Sequence, residues 1–136
     1  MATVETPTSV RVRWGRVIGF AFALEAVLFA TLLPLQAVLN LHVWFVAVAI
    51  GCAVFAYAAG WLAARGLTSR AVLHGILVGA VATGIYLVIN LLAPGGLAAA
   101  VAFYGTPLFV LLNALRIAGC AAGAFHQART RAADAA

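Results

Sequence analysis

The sequence predicts an all-α fold, an integral membrane four-helix bundle of up-down-up-down topology. Three observations carry that reading. First, 66% of the 136 residues are apolar and only 8% are charged, against about 25% charged in an ordinary soluble domain. A chain this small has too little interior to hide so much apolar surface from water. A soluble globular domain, a disordered chain and a nucleic-acid-binding tail are thereby excluded. Second, the apolar residues fall into runs long enough for membrane helices, which need about 20 residues each. Third, the charges sit at the ends of those runs. Arg11, Arg13 and Arg16 precede the first run, Arg65 and Arg70 bracket the middle loop, and Arg129 and Arg131 follow the last. The connections between runs one and two, and between three and four, carry none. This positive-inside pattern predicts that both termini and the middle loop are cytoplasmic, in a bacterial-type inner (plasma) membrane. The formal charge of +5 thus reports topology, and no nucleic acid is expected as a partner.

In chain order, residues 1–13 read as a cytoplasmic tail, 14–128 as the four-span domain and 129–136 as a second cytoplasmic tail. Glu5 and Asp134 fall in the tails. Span one covers 14–38. It is longer than a signal-peptide core of about 7 to 15 residues, and Glu25 interrupts it. Pro34 near its outer end frees the carbonyl of Ala30. Asn40, Leu41 and His42 make a short outer turn before span two, 43–64. Residues 65–70 form the cytoplasmic loop, with Ser69 as a helix cap. Span three covers 70–92, and Pro94, Gly95 and Gly96 break the chain after it. The last apolar stretch, Leu97 to Ala128, is too long for one simple span, and Gly105, Thr106 and Pro107 divide it. One reading makes Leu97 to Tyr104 a short outer interfacial or re-entrant helix, followed by span four over 107–127 with Pro107 in its first turn. The other makes it one long helix kinked at Pro107. Trp14 and Trp61 fall at the cytoplasmic interface, and Trp44 and Tyr104 at the outer one, as in an aromatic belt.

Lipid tails are as apolar as leucine, so membrane helices associate through close packing and small residues mark the contact faces. Span two has such a stripe at Ala49, Ala53, Ala56, Gly60 and Ala63. Span three has Gly75 and Gly79, a GxxxG suited to packing within the bundle or to dimerisation, with Thr83, Tyr86 and Asn90 continuing that side. Span four has Asn113, Arg116, Cys120 and Gly123 on one face. The halves are weakly alike: Gly19 and Ala23 in span one match Gly75 and Gly79, and Ala58 to Arg65 resembles Ala121 to Arg129. Two like-oriented hairpins would form a parallel repeat.

Two charges remain inside the membrane. Glu25 is nine residues in from Arg16, roughly 14 Å at ~1.5 Å per residue. Arg116 is eleven residues in from Gln127, roughly 16 Å by the same rise. Each unpaired charge at that depth costs at least ~2.5 to 3.5 kcal/mol. Opposite charges at one depth, on the first and last spans, are therefore expected to pair, with the Arg fork meeting the carboxylate. Asn113, Thr83 and Tyr86 stand near enough in register to support the pair. Such a pair serves either as a clasp fixing helix order or as a gated carboxylate on an ion path.

The other polar residues carry less. His74 and His126 lie toward the cytoplasmic ends of spans three and four, where two imidazoles could bind haem or a metal; solvated interfacial histidines are the commoner case. Gln36 shares the face of Glu25 and extends a polar track or bonds the kink near Pro34. Cys52 and Cys120 fall at different depths with no CxxC, so neither a disulfide nor a redox pair is expected. The sequence holds no HExxH, no GxSxG, no P-loop and no acidic cluster. No catalytic residue, metal or cofactor is expected.

The size, the four spans and a single Glu in span one make the layout similar to that of the small multidrug resistance transporters. The residues concerned are Ala23-Leu24-Glu25-Ala26-Val27, and the likeness covers little beyond them. Span three has no Trp at the matching place, reading Gly79-Ala80-Val81-Ala82-Thr83-Gly84-Ile85-Tyr86. Arg116 puts a cation where that resemblance implies a pocket for cationic substrates. The likeness is one of layout. The leading expectation is a non-enzymatic accessory or structural subunit acting by contact with the bilayer and a larger membrane-protein partner. The alternatives are a small proton- or cation-linked transporter or channel acting as a homodimer, and an enzyme of lipid or quinone chemistry. The predicted topology is tested with alkaline phosphatase fusions: those after Asn40 or Pro94 are active, and those after Arg65 or at the C-terminus are inactive. The reverse pattern refutes it.

Overall fold

A computed structural model describes residues 12–67 and 70–134. Arg11, Glu5 and Ser69, with its expected capping role, lie outside the described residues. The chain forms α1 (Trp14–Gln36), α2 (Leu41–Ala64), α3 (Ala71–Leu92), α4 (Gly96–Tyr104) and α5 (Thr106–Asp134). α1, α2, α3 and α5 are each long and apolar enough to cross a membrane. The protein is an all-helical bundle.

Local chemistry moves several boundaries. Pro34 lies in the last turn of α1, which ends at Gln36, two residues short of the expected limit. α2 starts at Leu41, earlier than expected, because Asn40 caps it: its Oδ1 accepts a hydrogen bond from the Val43 N–H at 3.0 Å. An N-cap side chain satisfies one of the first orphan N–H groups and fixes where the helix begins. His42 is therefore in the first turn of α2 rather than in a loop. The last apolar stretch is two helices. Gly105 separates them with φ 75°, a left-handed conformation that glycine adopts without steric cost, so the single kinked helix is ruled out. α4 has no buried residue, as befits a short helix capping one end of the bundle. α5 continues as helix to Asp134, through the residues expected to form a tail from 129.

α5 packs most extensively on α2 and then on α3, while α1 packs on α2 and α3. α1 and α5 therefore face each other across the bundle, with α2 and α3 between them. Successive spans alternate in direction, so the broadest contact, α2 on α5, joins parallel helices that are not neighbours in sequence. Small residues decide this. A Cβ on Gly60 would fall on the Cys120 backbone, and one on Gly123 would fall on the Tyr57 carbonyl. A Cβ on Gly79 would sit 2.6 Å from Ile117 Cα, and Gly75 faces Cys120 and Ala124. The four glycines expected at packing faces all admit a neighbouring backbone, and the GxxxG of α3 is used inside this bundle. Gly19 has nothing within 4 Å of its Cβ position. The resemblance between the two halves thus does not extend to how their small residues pack.

The arginines gather at one end. Arg16 Nη2 donates to the Leu62 carbonyl at 3.0 Å, and Arg131 Nη1 donates to the Leu67 carbonyl at 3.1 Å. Arg65 lies over the Trp61 ring, 5.2 Å from its centroid. At the other end the aromatic-belt expectation needs correcting. Trp44 is buried, its indole N–H donates to the Leu32 carbonyl at 3.1 Å, and its ring stacks on Tyr104 at 5.8 Å. A buried indole must place its N–H, and the carbonyls of α1 near Pro34 supply the acceptor. Trp44 is an internal packing residue, not a lipid-facing anchor. Large apolar side chains such as Phe22, Val46, Ile50 and Val88 cover the outside.

Substituting leucine for Gly60 or Gly123 forces α2 and α5 apart. We expect a loss of at least about 1–3 kcal/mol, the usual cost of overpacking, measured by denaturant-dependent loss of helicity in detergent. Gly19→Ala, which meets no neighbour, should be neutral or stabilise by up to about 1 kcal/mol, the helix-propensity difference.

Candidate functional site

The site forms where the four spans meet near the middle of the bundle. Glu25 comes from the buried face of α1, in register with Ala21 and Leu28 on either side. Arg116 comes from α5, opposite. The two helices do not pack side by side, so only long side chains can join them. Arg116 Nε donates to Glu25 Oε1 at 2.7 Å, and the two residues are 4% and 3% exposed. This length is typical of a charge-assisted hydrogen bond. Arg116 Nη1 also donates to the Leu112 carbonyl of its own helix at 3.3 Å. The guanidinium carbon lies 4.2 Å from the centroid of the Tyr86 ring. A cation over an aromatic face gains about 2 kcal/mol or more when both are shielded from water.

Of the three residues expected to support the pair, only Tyr86 touches it, and it does so with its ring face rather than by a hydroxyl hydrogen bond. Asn113 donates through Nδ2 to the Phe109 carbonyl at 2.8 Å, four residues back on its own helix. That local bond competes with tertiary ones, and Asn113 Oδ1 has no partner. Thr83 is one position round the helix from the fully buried Ala82, so it faces the edge of the core, and its Oγ1 is also unpartnered. Glu25 Oε2 is the third buried polar atom without a hydrogen-bond partner among the described residues. Sequence reasoning missed the partnership of Trp44 with Tyr104 beside the site. Their shared depth was visible in the sequence, but nothing in it showed that they turn inward.

A cavity of about 50 Å³ adjoins the pair, lined by Glu25, Arg116, Cys52, Tyr86, Trp44 and Tyr104 with Phe29 and aliphatic side chains between them. Gln36 is exposed and is not part of that lining, so the polar track does not extend to it.

The histidines are engaged elsewhere. Arg13 donates its backbone N–H to His74 Nε2 at 3.1 Å, so that nitrogen is the acceptor, and Nδ1 donates to the Arg70 carbonyl at 3.0 Å. A neutral imidazole with a fixed tautomer thus ties the start of α1 to the start of α3. His126 Nδ1 is bonded to the Tyr57 hydroxyl. Both histidines hold helices together, and no group of three or more metal-ligating side chains occurs among the described residues. Cys52 and Cys120 are free thiols.

Four apolar helices of membrane-spanning length around an internal ion pair define a small multi-pass membrane protein. Compared with known proteins, the chain matches no family model, no curated protein and no solved structure.

The pair is tested by Glu25→Gln, Arg116→Gln and the double variant. Glu25→Gln strands a guanidinium that cannot shed its proton, and removing one partner of a buried pair costs about 3–5 kcal/mol. Arg116→Gln is expected to cost less, because the carboxyl can take up a proton and become neutral. The double variant should be more stable than Glu25→Gln alone, read from denaturant unfolding. A double variant no better folded than the worse single one would remove the energetic basis for the pair.

Proposed function

We propose that the protein is a non-enzymatic accessory or structural subunit of a bacterial-type plasma membrane, acting by contact with a larger membrane-protein partner. The observation that carries this reading is the closed Glu25–Arg116 pair. Its carboxylate is engaged by a cation at 2.7 Å, so it is not a free base or an open cation site. The space beside the pair, about 50 Å³, is far smaller than the roughly 300–1,000 Å³ of small-molecule sites. A clasp from α1 to α5 fixes which helices face each other, and hence which surfaces remain outside for a partner. The cluster of arginines at one end supports cytoplasmic termini.

One observation favours a second reading, a dimeric proton- or cation-linked transporter or channel. Glu25 Oε2 is buried without a partner and borders the cavity. A carboxylate oxygen held open inside the membrane is the feature such a protein needs.

Purification in mild detergent from native-host membranes separates the two. The subunit reading expects a discrete larger partner to co-migrate with the wild-type chain and with the Glu25→Gln/Arg116→Gln double variant alike. Recovery of a homodimer alone, with flux in vesicles that Glu25→Gln abolishes, overturns it in favour of the transporter.

A further inference from the structure

The two halves of the bundle, on either side of the ion pair, are built differently. Toward the arginine end, Gly60, Gly75 and Gly79 bring backbones into contact, and Val17, Ala21 and Cys120 are fully enclosed. Toward the end that carries the α1–α2 turn and α4, the interior holds the cavity. Its α1 wall runs from Glu25 through Leu28 and Leu32 to Leu33, and its α2 wall includes Trp44 and Cys52. Leu33 is 55% exposed and lies three residues before the end of α1 at Gln36, so the cavity meets the molecular surface near that end of the bundle. Its floor is Glu25, whose Oε2 is buried and has no partner within the protein.

A buried carboxylate oxygen needs a hydrogen-bond donor. The groups facing Glu25 do not supply a second one. Arg116 from α5 gives its Nε–H to Oε1 and an Nη1–H to the Leu112 carbonyl, none of its remaining N–H groups reaches Oε2, and Tyr86 from α3 turns its ring face to the guanidinium. Cys52 from α2 and Tyr104 from α4 border the same space, and Oε2 accepts from neither. With no donor of the chain in reach of Oε2, the position is open to one from outside. The cavity of about 50 Å³ has room for water.

We propose that this cavity is a one-sided water inlet. Water enters past Leu33 from the end bearing α4, donates to Glu25 Oε2, and goes no further, because the glycine-packed half beyond is sealed. The inlet admits water, and a probe ion of similar size can follow it. The inference holds whether the pair is a clasp or part of a transport path.

The two native cysteines report on it. Both thiols are buried, at 1% and 0% exposure, but Cys52 borders the inlet and Cys120 lies against Gly60 and Gly75 in the sealed half. Ag⁺ is about the size of a water molecule, binds thiolates and travels only through water. The full chain is reconstituted in oriented phosphatidylethanolamine–phosphatidylglycerol vesicles and exposed to Ag⁺ on one side. Excess ion is then removed, and the denatured protein is alkylated with N-ethylmaleimide and read by peptide mass spectrometry. Cys52→Ala and Cys120→Ala variants confirm which thiol is read. Ag⁺ added at the α4 end should protect Cys52 at least about tenfold faster than Cys120, since thiol reactivity follows access. From the arginine end it should protect neither at that rate. Leu33→Trp, which narrows the mouth, should slow protection of Cys52 without altering Cys120. Equal rates for the two thiols, faster protection of Cys52 from the arginine end, or no effect of Leu33→Trp would each overturn the inlet.

Discussion

Helices in lipid gain nothing from hiding apolar surface from one another, so their association depends on how closely their atoms can approach. In this protein that constraint is met along one seam. Gly60 of α2 and Gly75 and Gly79 of α3 have no side chain where the backbone of α5 passes, and Gly123 of α5 returns the arrangement toward Tyr57 of α2. Each contact gains little alone, but dispersion between backbones in van der Waals contact accumulates along the helices. The seam puts α5 against α2 and α3 together and leaves α1 on the far side. Every other feature of the interior follows from that placement.

The ion pair is one such consequence. With α1 and α5 on opposite sides, the distance between them is too great for small residues to fill. Glutamate and arginine are long enough to meet across it. Tyr86 of α3 fills the remaining space beside the guanidinium with an electron-rich ring. The pair neutralises two charges that would each be costly in a membrane, and it ties the first span to the last. The glycine seam and the charged clasp therefore act on different helix pairs, one by contact and one by reach.

The same division explains the asymmetry of the bundle along its length. Small side chains and close backbones fill the half nearest the arginines. There, His74 accepts from Arg13 at the start of α1 through Nε2 and bonds the Arg70 carbonyl at the start of its own helix through Nδ1, and Arg16 and Arg131 bind the final carbonyls of α2 and the loop beyond it. The other half is packed by large rings. Trp44, Phe45, Phe103 and Tyr104 lie with centroids 5.1 to 5.9 Å apart. Rigid rings do not interdigitate as finely as glycine and alanine, and the cavity above Glu25 lies among them.

The membrane class, the number of spans and the pairing of Glu25 with Arg116 were legible in the sequence, because composition, run length and depth along a helix are one-dimensional quantities. A charge in lipid is so costly that its partner can be found by matching depth alone. The packing role of Gly60, Gly75, Gly79 and Gly123 was legible for a similar reason, since small residues in membrane helices have few other uses. What the sequence left open was whichever neighbour lies off the chain axis. It did not reveal that α2 and α5 pack in parallel, or that Asn113 turns back to its own helix. Nor did it show that Trp44 points inward, whereas the division between α4 and α5 at Gly105 was legible from Gly105, Thr106 and Pro107. Depth is written along the chain, but direction around each helix is decided only when four helices choose their neighbours in space.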